Sequence, residues 1–160
     1  MKIIEIYTDG ACSGNPGQGG LGIVIKIEQE IKLINKGFKN TTNNRMELRA
    51  CIEALKFCQK FYPQNQIKIF TDSTYVQKGI CEWIITWKKN GFKSTQKKAI
   101  KNQDLWQSLD QLNNEKISWH WIKGHSGNFF NEKADRLAVE ALKGQDLQDD
   151  LEKKANLQLF

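Results

Sequence analysis

The chain has 160 residues, with 24 Lys or Arg against 18 Asp or Glu, a formal charge of +6. At 39% hydrophobic and 26% charged it has a soluble globular composition, with too little Gly, Pro or Cys for a collagen or a disulfide scaffold. One domain with a sizeable core fits this length, no apolar run approaches the ~18 residues of a membrane span, and Met1-Lys2-Ile3-Ile4-Glu5 is charged too early for a signal peptide. The expectation is a cytoplasmic protein without membrane contact. The basic excess points to an anionic partner.

In chain order, Ile3 to Asp9 alternates with a period of two and predicts a strand ending in Tyr7-Thr8-Asp9-Gly10. Gly14-Asn15-Pro16-Gly17-Gln18-Gly19-Gly20 reads as a glycine-rich turn. Leu21–Ile27 and Ile31–Phe38 follow as strands of an antiparallel meander. From Arg45 to Phe61 the apolar spacing becomes helical, and Pro63 ends it. Ile67 to Thr71 is again a strand, Tyr75 to Trp87 a helix, Leu105 to Leu112 a short helix with Asp104 in its first turn, and Ile117 to Ile122 a strand. Ala134, Leu137, Ala138, Ala141 and Leu142 mark a last helix stopped by Gly144. This order predicts an α/β (α+β) mixed sheet with helices on its faces. Residues 145–160 lack an apolar stripe and read as a loosely attached tail. The cysteines at 12, 51, 58 and 81 form no Cys-x-x-Cys pair and read as free thiols buried as small hydrophobes.

Four acids occupy unusual places. Asp9 and Asp72 each follow a Thr where an apolar strand gives way to a turn, so parallel neighbours would bring both carboxylates to one sheet edge. Asp-Gly and Asp-Ser are also plain turn formers. Glu47 shares a helical face with Cys51, Ala54, Leu55 and Cys58, although Asn44-Arg45-Met46-Glu47 also has capping-box spacing. Asp135 lies on the stripe Asn131, Asp135, Ala138, Leu142, near a helix start whose dipole itself favours an anion. If the four meet, their repulsion requires a cation, and all-oxygen ligands suit Mg²⁺ or Mn²⁺, the ions of phosphodiester cleavage.

Thr8-Asp9-Gly10-Ala11-Cys12-Ser13-Gly14-Asn15-Pro16-Gly17, Thr41-Thr42-Asn43-Asn44-Arg45-Met46-Glu47-Leu48, Thr71-Asp72-Ser73, Trp121-Ile122-Lys123-Gly124-His125-Ser126-Gly127 and Asn131-Glu132-Lys133-Ala134-Asp135 together resemble, in order and spacing, the motifs of type 1 ribonuclease H (bacterial ribonuclease HI), in the retroviral-integrase/ribonuclease H-like superfamily. The resemblance implies a ribonuclease H-like fold with a five-stranded mixed sheet and a catalytic domain over residues 1–143, followed by a tail over 144–160. It also implies an endoribonuclease that hydrolyses the RNA strand of RNA–DNA hybrids, leaves 5′-phosphate and 3′-hydroxyl ends, and removes RNA primers and R-loops. By the same resemblance Asp9, Glu47, Asp72 and Asp135 hold two Mg²⁺ ions (Mn²⁺ as substitute) with substrate bound, and His125 assists proton transfer or product release.

For substrate binding, the resemblance assigns Asn15, Asn43 and Asn44, with the backbone at Cys12, to the hybrid's groove, and Thr42 with Asn15 and Asn43 to a DNA phosphate. Asn40 replaces a frequent Arg and Thr74 a frequent hybrid-contacting Gln, departures that touch affinity and cleavage preference rather than catalysis. Residues about 82–101 resemble the family's basic helical protrusion. There Trp83 and Trp87 lie one turn apart among Lys88, Lys89, Lys97 and Lys98, a mixture suited to stacking along a phosphate track. Core tryptophans under a solvated basic face are the other reading. Between Trp83 and Gln103 there are six Lys and no acid, so this stretch carries the whole +6. The remaining expectations are a monomer with the hybrid as partner. The alternatives are a DNA-cleaving or integrase-like relative of the same fold, and a hybrid-binding module without catalysis.

Overall fold

The computed structural model describes residues 2–92 and 100–150. β1 (Ile3–Gly14), β2 (Gly17–Ile27) and β3 (Glu30–Thr41) form the expected antiparallel meander. The glycine-rich run is mostly strand, however, because only Asn15 and Pro16 separate β1 from β2. Gly14, with φ of 83°, still serves the turn, whereas Gly20, and Gly22 just beyond the run, serve close approach to α5 (Phe129–Leu142). A Cβ on Gly20 would lie 2.1 Å from the Ala138 carbonyl oxygen, and one on Gly22 2.0 Å from that of Ala134.

α1 (Asn43–Phe61) starts two residues earlier than its apolar spacing suggests, and its N-cap is Thr42, whose Oγ1 accepts from the Arg45 amide at 3.2 Å. Asn44 is therefore not the cap, and Glu47 falls beyond the position a capping box requires. β4 (Gln66–Thr71) runs parallel to β1, and β5 (Ile117–Trp121) parallel to β4. The predicted helix over Tyr75–Trp87 is interrupted: α2 (Thr74–Lys78) passes through a π-helical turn at Gly79–Trp83 into α3 (Ile84–Lys89). The fully buried Trp106 of α4 (Gln103–Leu112) packs against Gly79, where a Cβ would sit 1.9 Å from the ring.

The sheet order is β5-β4-β1-β2-β3-β6, six strands rather than five. The extra edge strand, β6 (Leu147–Asp149), pairs parallel with β3 at Gly37, Phe38 and Lys39. This corrects the reading of residues 145–160 as a loose tail, at least to position 150. No apolar stripe announces β6 because charge holds it: the buried Asp150 receives Arg45 and Arg49. Residues 151–160 lie outside the described residues.

Strand alternation distributes the core over two faces. Ile4, Ile6, Ile23, Ile25 and Ile69 pack with α1 and α4, whereas Tyr7, Val24 and Phe70 pack with Ala134 and Leu137 of α5. Of the four free cysteines, Cys51 and Cys58 are buried as expected, Cys12 is half-buried, and Cys81 is exposed. Cys81 lies on the outer side of the π turn, where no packing demands an apolar residue. No described helix is long and apolar enough to cross a membrane.

Candidate active site

The parallel pairing of β1 with β4 ends at Thr8 opposite Thr71, so Asp9 and Asp72 both stand one residue beyond the last shared rung, on the same sheet edge. α1 crosses that edge so closely that a Cβ on Gly10 would lie 2.6 Å from the Glu47 amide nitrogen. Gly10 thus admits Glu47 to the edge, and oxygens of Asp9, Glu47 and Asp72 lie within 4.8 Å of one another. Asp9 and Glu47 are each only 5% exposed. Asp135, half-buried on α5, stands near enough for its charge to act on Asp9.

Burial first, and then the charges of Glu47 and Asp72 with the Asp135 hydrogen bond, push the Asp9 carboxyl from 3.8 up to about 10. Glu47 is raised well above 4.5, by burial and by Asp72, against hydrogen bonds from the Gly10 backbone and Asp9. Its Oε1 is buried without a hydrogen-bond partner. A buried carboxyl oxygen left without a partner beside Asp9 and Asp72 fits a divalent cation, which would replace the protons and for which carboxylate oxygens are the natural ligands. It does not fit a helix cap, which would leave the oxygen bonded within its own turn.

These shifts carry a sign. Without a cation the folded state holds protons that the unfolded chain has released above about pH 4, so stability falls as pH rises toward 10. Each retained proton contributes about 1.4 kcal/mol per pH unit. In chelator, the melting temperature is therefore expected to fall from pH 5 to pH 8, and saturating Mg²⁺ to remove most of that slope by replacing the protons. A metal-free melting temperature that holds level over this range contradicts the placement of the acids.

Asp72 is held by residues the motif reading left without a role. Asn131, 2% exposed, donates Nδ2 to Asp72 Oδ2 at 3.4 Å. The Trp121 indole donates to the Asp72 carbonyl at 3.1 Å. Gly124 lies so close that a Cβ would come within 2.7 Å of Oδ2. A polar Asn one turn ahead of Asp135, on the stripe that continues into Ala138 and Leu142, was the available signal for the first of these.

His125 is exposed on the loop between β5 and α5, with φ of 54°. His120, by contrast, stacks on Phe70 at 5.1 Å and shares a 2.9 Å hydrogen bond with Ser118, a structural placement. The hairpin tip meets the start of α1: Asn15 Oδ1 accepts from the Asn43 amide at 3.2 Å, and the Cys12 thiol donates to the Thr41 carbonyl at 3.4 Å. Cys12, Asn15, Thr42, Asn43 and the exposed Asn44 thereby form one surface, while Thr74 lies exposed at the start of α2. Trp83 and Trp87 form a separate group, half-buried against Trp106 at ring separations of 6.4 and 5.5 Å. Lys88 and Lys89 are exposed beside them, Lys88 3.5 Å from Asp110. Lys97 and Lys98 lie outside the described residues.

A mixed sheet that carries Asp9 and Asp72 past the end of one parallel pairing, with Glu47 and Asp135 brought beside them by two helices, presents an acidic cluster of the kind that holds cations in phosphodiester hydrolysis. The RNase H family model matches residues 1–143. Ribonuclease H of Pseudoalteromonas atlantica is 50% identical over 151 residues, 94% of this chain and 97% of that protein. Ribonuclease HI of Haemophilus influenzae is 48% identical over 149 residues, covering 92% and 95%. Among solved structures, LC9-RNase H1, described as a type 1 RNase H with the type 2 active-site motif, superposes with a TM-score of 0.81 at 32% identity, covering 90% of this chain and 74% of that one. LC11-RNase H1 in complex with RNA/DNA hybrid gives 0.67 at 25% identity, covering 87% and 96%. The chain belongs to the RNase H family, type 1.

Proposed function

We propose that this chain is an endoribonuclease that hydrolyses the RNA strand of RNA–DNA hybrids to 3′-hydroxyl and 5′-phosphate ends, serving primer and R-loop removal as a cytoplasmic monomer. The observation that carries this is the meeting of Asp9, Glu47, Asp72 and Asp135, from four separate elements, around a buried carboxylate oxygen that nothing in the protein satisfies. Two divalent cations, Mg²⁺ by preference over Mn²⁺, would be held by these four residues and would supply water activation and charge neutralisation at the scissile phosphate.

The protein's own residues orient the substrate. Asn131, Gly124 and Trp121 fix Asp72 while the RNA strand lies over the sheet edge. Asn15, Asn43 and Asn44, beside Cys12, present amides suited to 2′-hydroxyls and base edges in a wide minor groove. Thr42 at the positive end of α1 suits a phosphate of the DNA strand. His125, from its exposed loop position, would move a proton or help product leave. Thr74, Trp83, Trp87, Lys88, Lys89, Lys97 and Lys98 would extend the track for the hybrid, with residues about 82–101 as the basic arm of the unit spanning 1–143.

Incubation with Mg²⁺ and labelled RNA–DNA hybrid, double-stranded RNA and double-stranded DNA decides the reading. Cleavage is expected in the RNA of the hybrid alone. Cutting of DNA would favour an integrase-like relative, and binding without cutting a module that lacks catalysis.

A further inference from the structure

Away from the carboxylates, a second charged cluster links three segments distant in sequence. The Asp150 carboxylate is only 1% exposed and accepts from Arg45 Nε at 2.7 Å, from Arg49 Nε and from the Thr41 hydroxyl. The same Arg45 guanidinium grips Asp104 with both terminal nitrogens, at 3.0 and 2.7 Å, and reaches the Asn102 side-chain oxygen at 3.3 Å. Burial alone would raise the Asp104 carboxyl, but Arg45 overcomes it and holds the group below its ordinary value.

The location matters more than the charge. Thr41 and Arg45 bracket Thr42, Asn43 and Asn44, the residues read above as meeting the hybrid. Asn102 and Asp104 begin α4, directly after the basic stretch. Asp150 follows β6, the edge strand beside β3. Buried ion clusters contribute little net stability compared with apolar packing, but their fork geometry fixes orientation.

We propose that Arg45 and Asp150 are positioning residues for substrate binding: through Thr41 and Asp104 they hold the Thr42–Asn44 turn and the root of the basic arm at a set separation, so that both engage one hybrid. This rests on the reading that the chain cleaves hybrids. Nothing in the cluster touches the four carboxylates, so its effect falls on KM rather than on kcat.

The experiment is steady-state cleavage of hybrid by the full chain, well below its melting temperature, with Asp150→Asn, Asp150→Glu and Asp104→Asn. Asp150→Asn is expected to raise KM about tenfold while kcat stays within about twofold, the scale set by loss of a supporting hydrogen-bond partner. Asp150→Glu is expected to recover part of that loss, and Asp104→Asn to raise KM by a smaller factor. A KM unchanged in a folded Asp150→Asn variant, even with a lower melting temperature, reduces the cluster to a stabilising role and overturns the proposal. If Asp150→Asn does not fold, Asp104→Asn decides on the same criterion. Failure of the unsubstituted chain to cut hybrid overturns the functional reading instead, so the two outcomes are separable.

Discussion

Asp9→Asn is expected to abolish hybrid cleavage while leaving hybrid binding intact and making the metal-free protein more stable at pH 8. Asp9 sits beside Glu47 and Asp72, 5% exposed and within reach of the Asp135 charge. An amide there keeps the shape but cannot supply the negative charge a divalent cation requires. Loss of a cation ligand in such a site should lower kcat by about 10³-fold or more. The groups read as holding the hybrid, around Asn15, Thr42 and Asn43, are untouched, so Kd should move little. Stability changes in the opposite direction to activity, because Asn is neutral in both states and so removes the cost of the proton that Asp9 must take up on folding at pH 8. Each kcal/mol gained should raise the melting temperature by about 2–4 °C at this chain length. Kinetics, filter binding and a thermal melt in chelator report the three effects, and retained turnover would remove Asp9 from the cation site.

Gly22→Ala is expected to cost both stability and activity. Gly22 pairs with Asp9 across β1 and β2, and its missing side chain lets α5 rest directly on the strand. A Cβ there would lie 2.0 Å from the Ala134 carbonyl oxygen and 2.8 Å from the Ala138 amide nitrogen, both backbone atoms that no rotamer change can withdraw. Overpacking of this kind costs about 3 kcal/mol. Since Ala134 immediately precedes Asp135, any outward shift of α5 also draws Asp135 from Asp9. The variant should therefore lose both melting temperature and kcat, measured at a temperature where it remains folded. A loss of stability with full kcat would show that α5 gives way without moving Asp135.

Asp9 and Asp72 were legible because their signal is local: alternating apolar residues, then Thr-Asp, then a small residue. The turn expected after Asp9 is not there, since β1 runs on to Gly14 along β2 and only its pairing with β4 stops at Thr8. Parallel pairing of β1 and β4 was the one further step, and the register from Ile3 opposite Gln66 to Thr8 opposite Thr71 supplies it. Glu47 was legible only as a choice between a cap and a site. That choice depends on where α1 begins and on what lies opposite Glu47. Thr42 is the cap, and Gly10 brings the sheet within reach.

The paired tryptophans were equally ambiguous, because helical spacing places them on one face without saying what that face meets. They are half-buried against Trp106, so packing and a partly exposed aromatic surface coexist. The break in the helix beneath them had no periodic signature. It arises where Gly79 accommodates the Trp106 ring from a different helix.

Composition, periodicity and ordered motifs by themselves determined the class of fold, the sequence of elements, the family and the acids worth bringing together. These are properties of short windows, in which side-chain spacing and turn chemistry act within a few residues. Only the tertiary structure decided that Gly20 and Gly22 make room for a helix, that Asp150 closes a sixth strand onto the sheet, and that Asn131 and Trp121 hold Asp72. Each depends on contacts between residues distant in the chain, 105 positions apart for Arg45 and Asp150, and such a pairing leaves no mark on the local pattern of either segment.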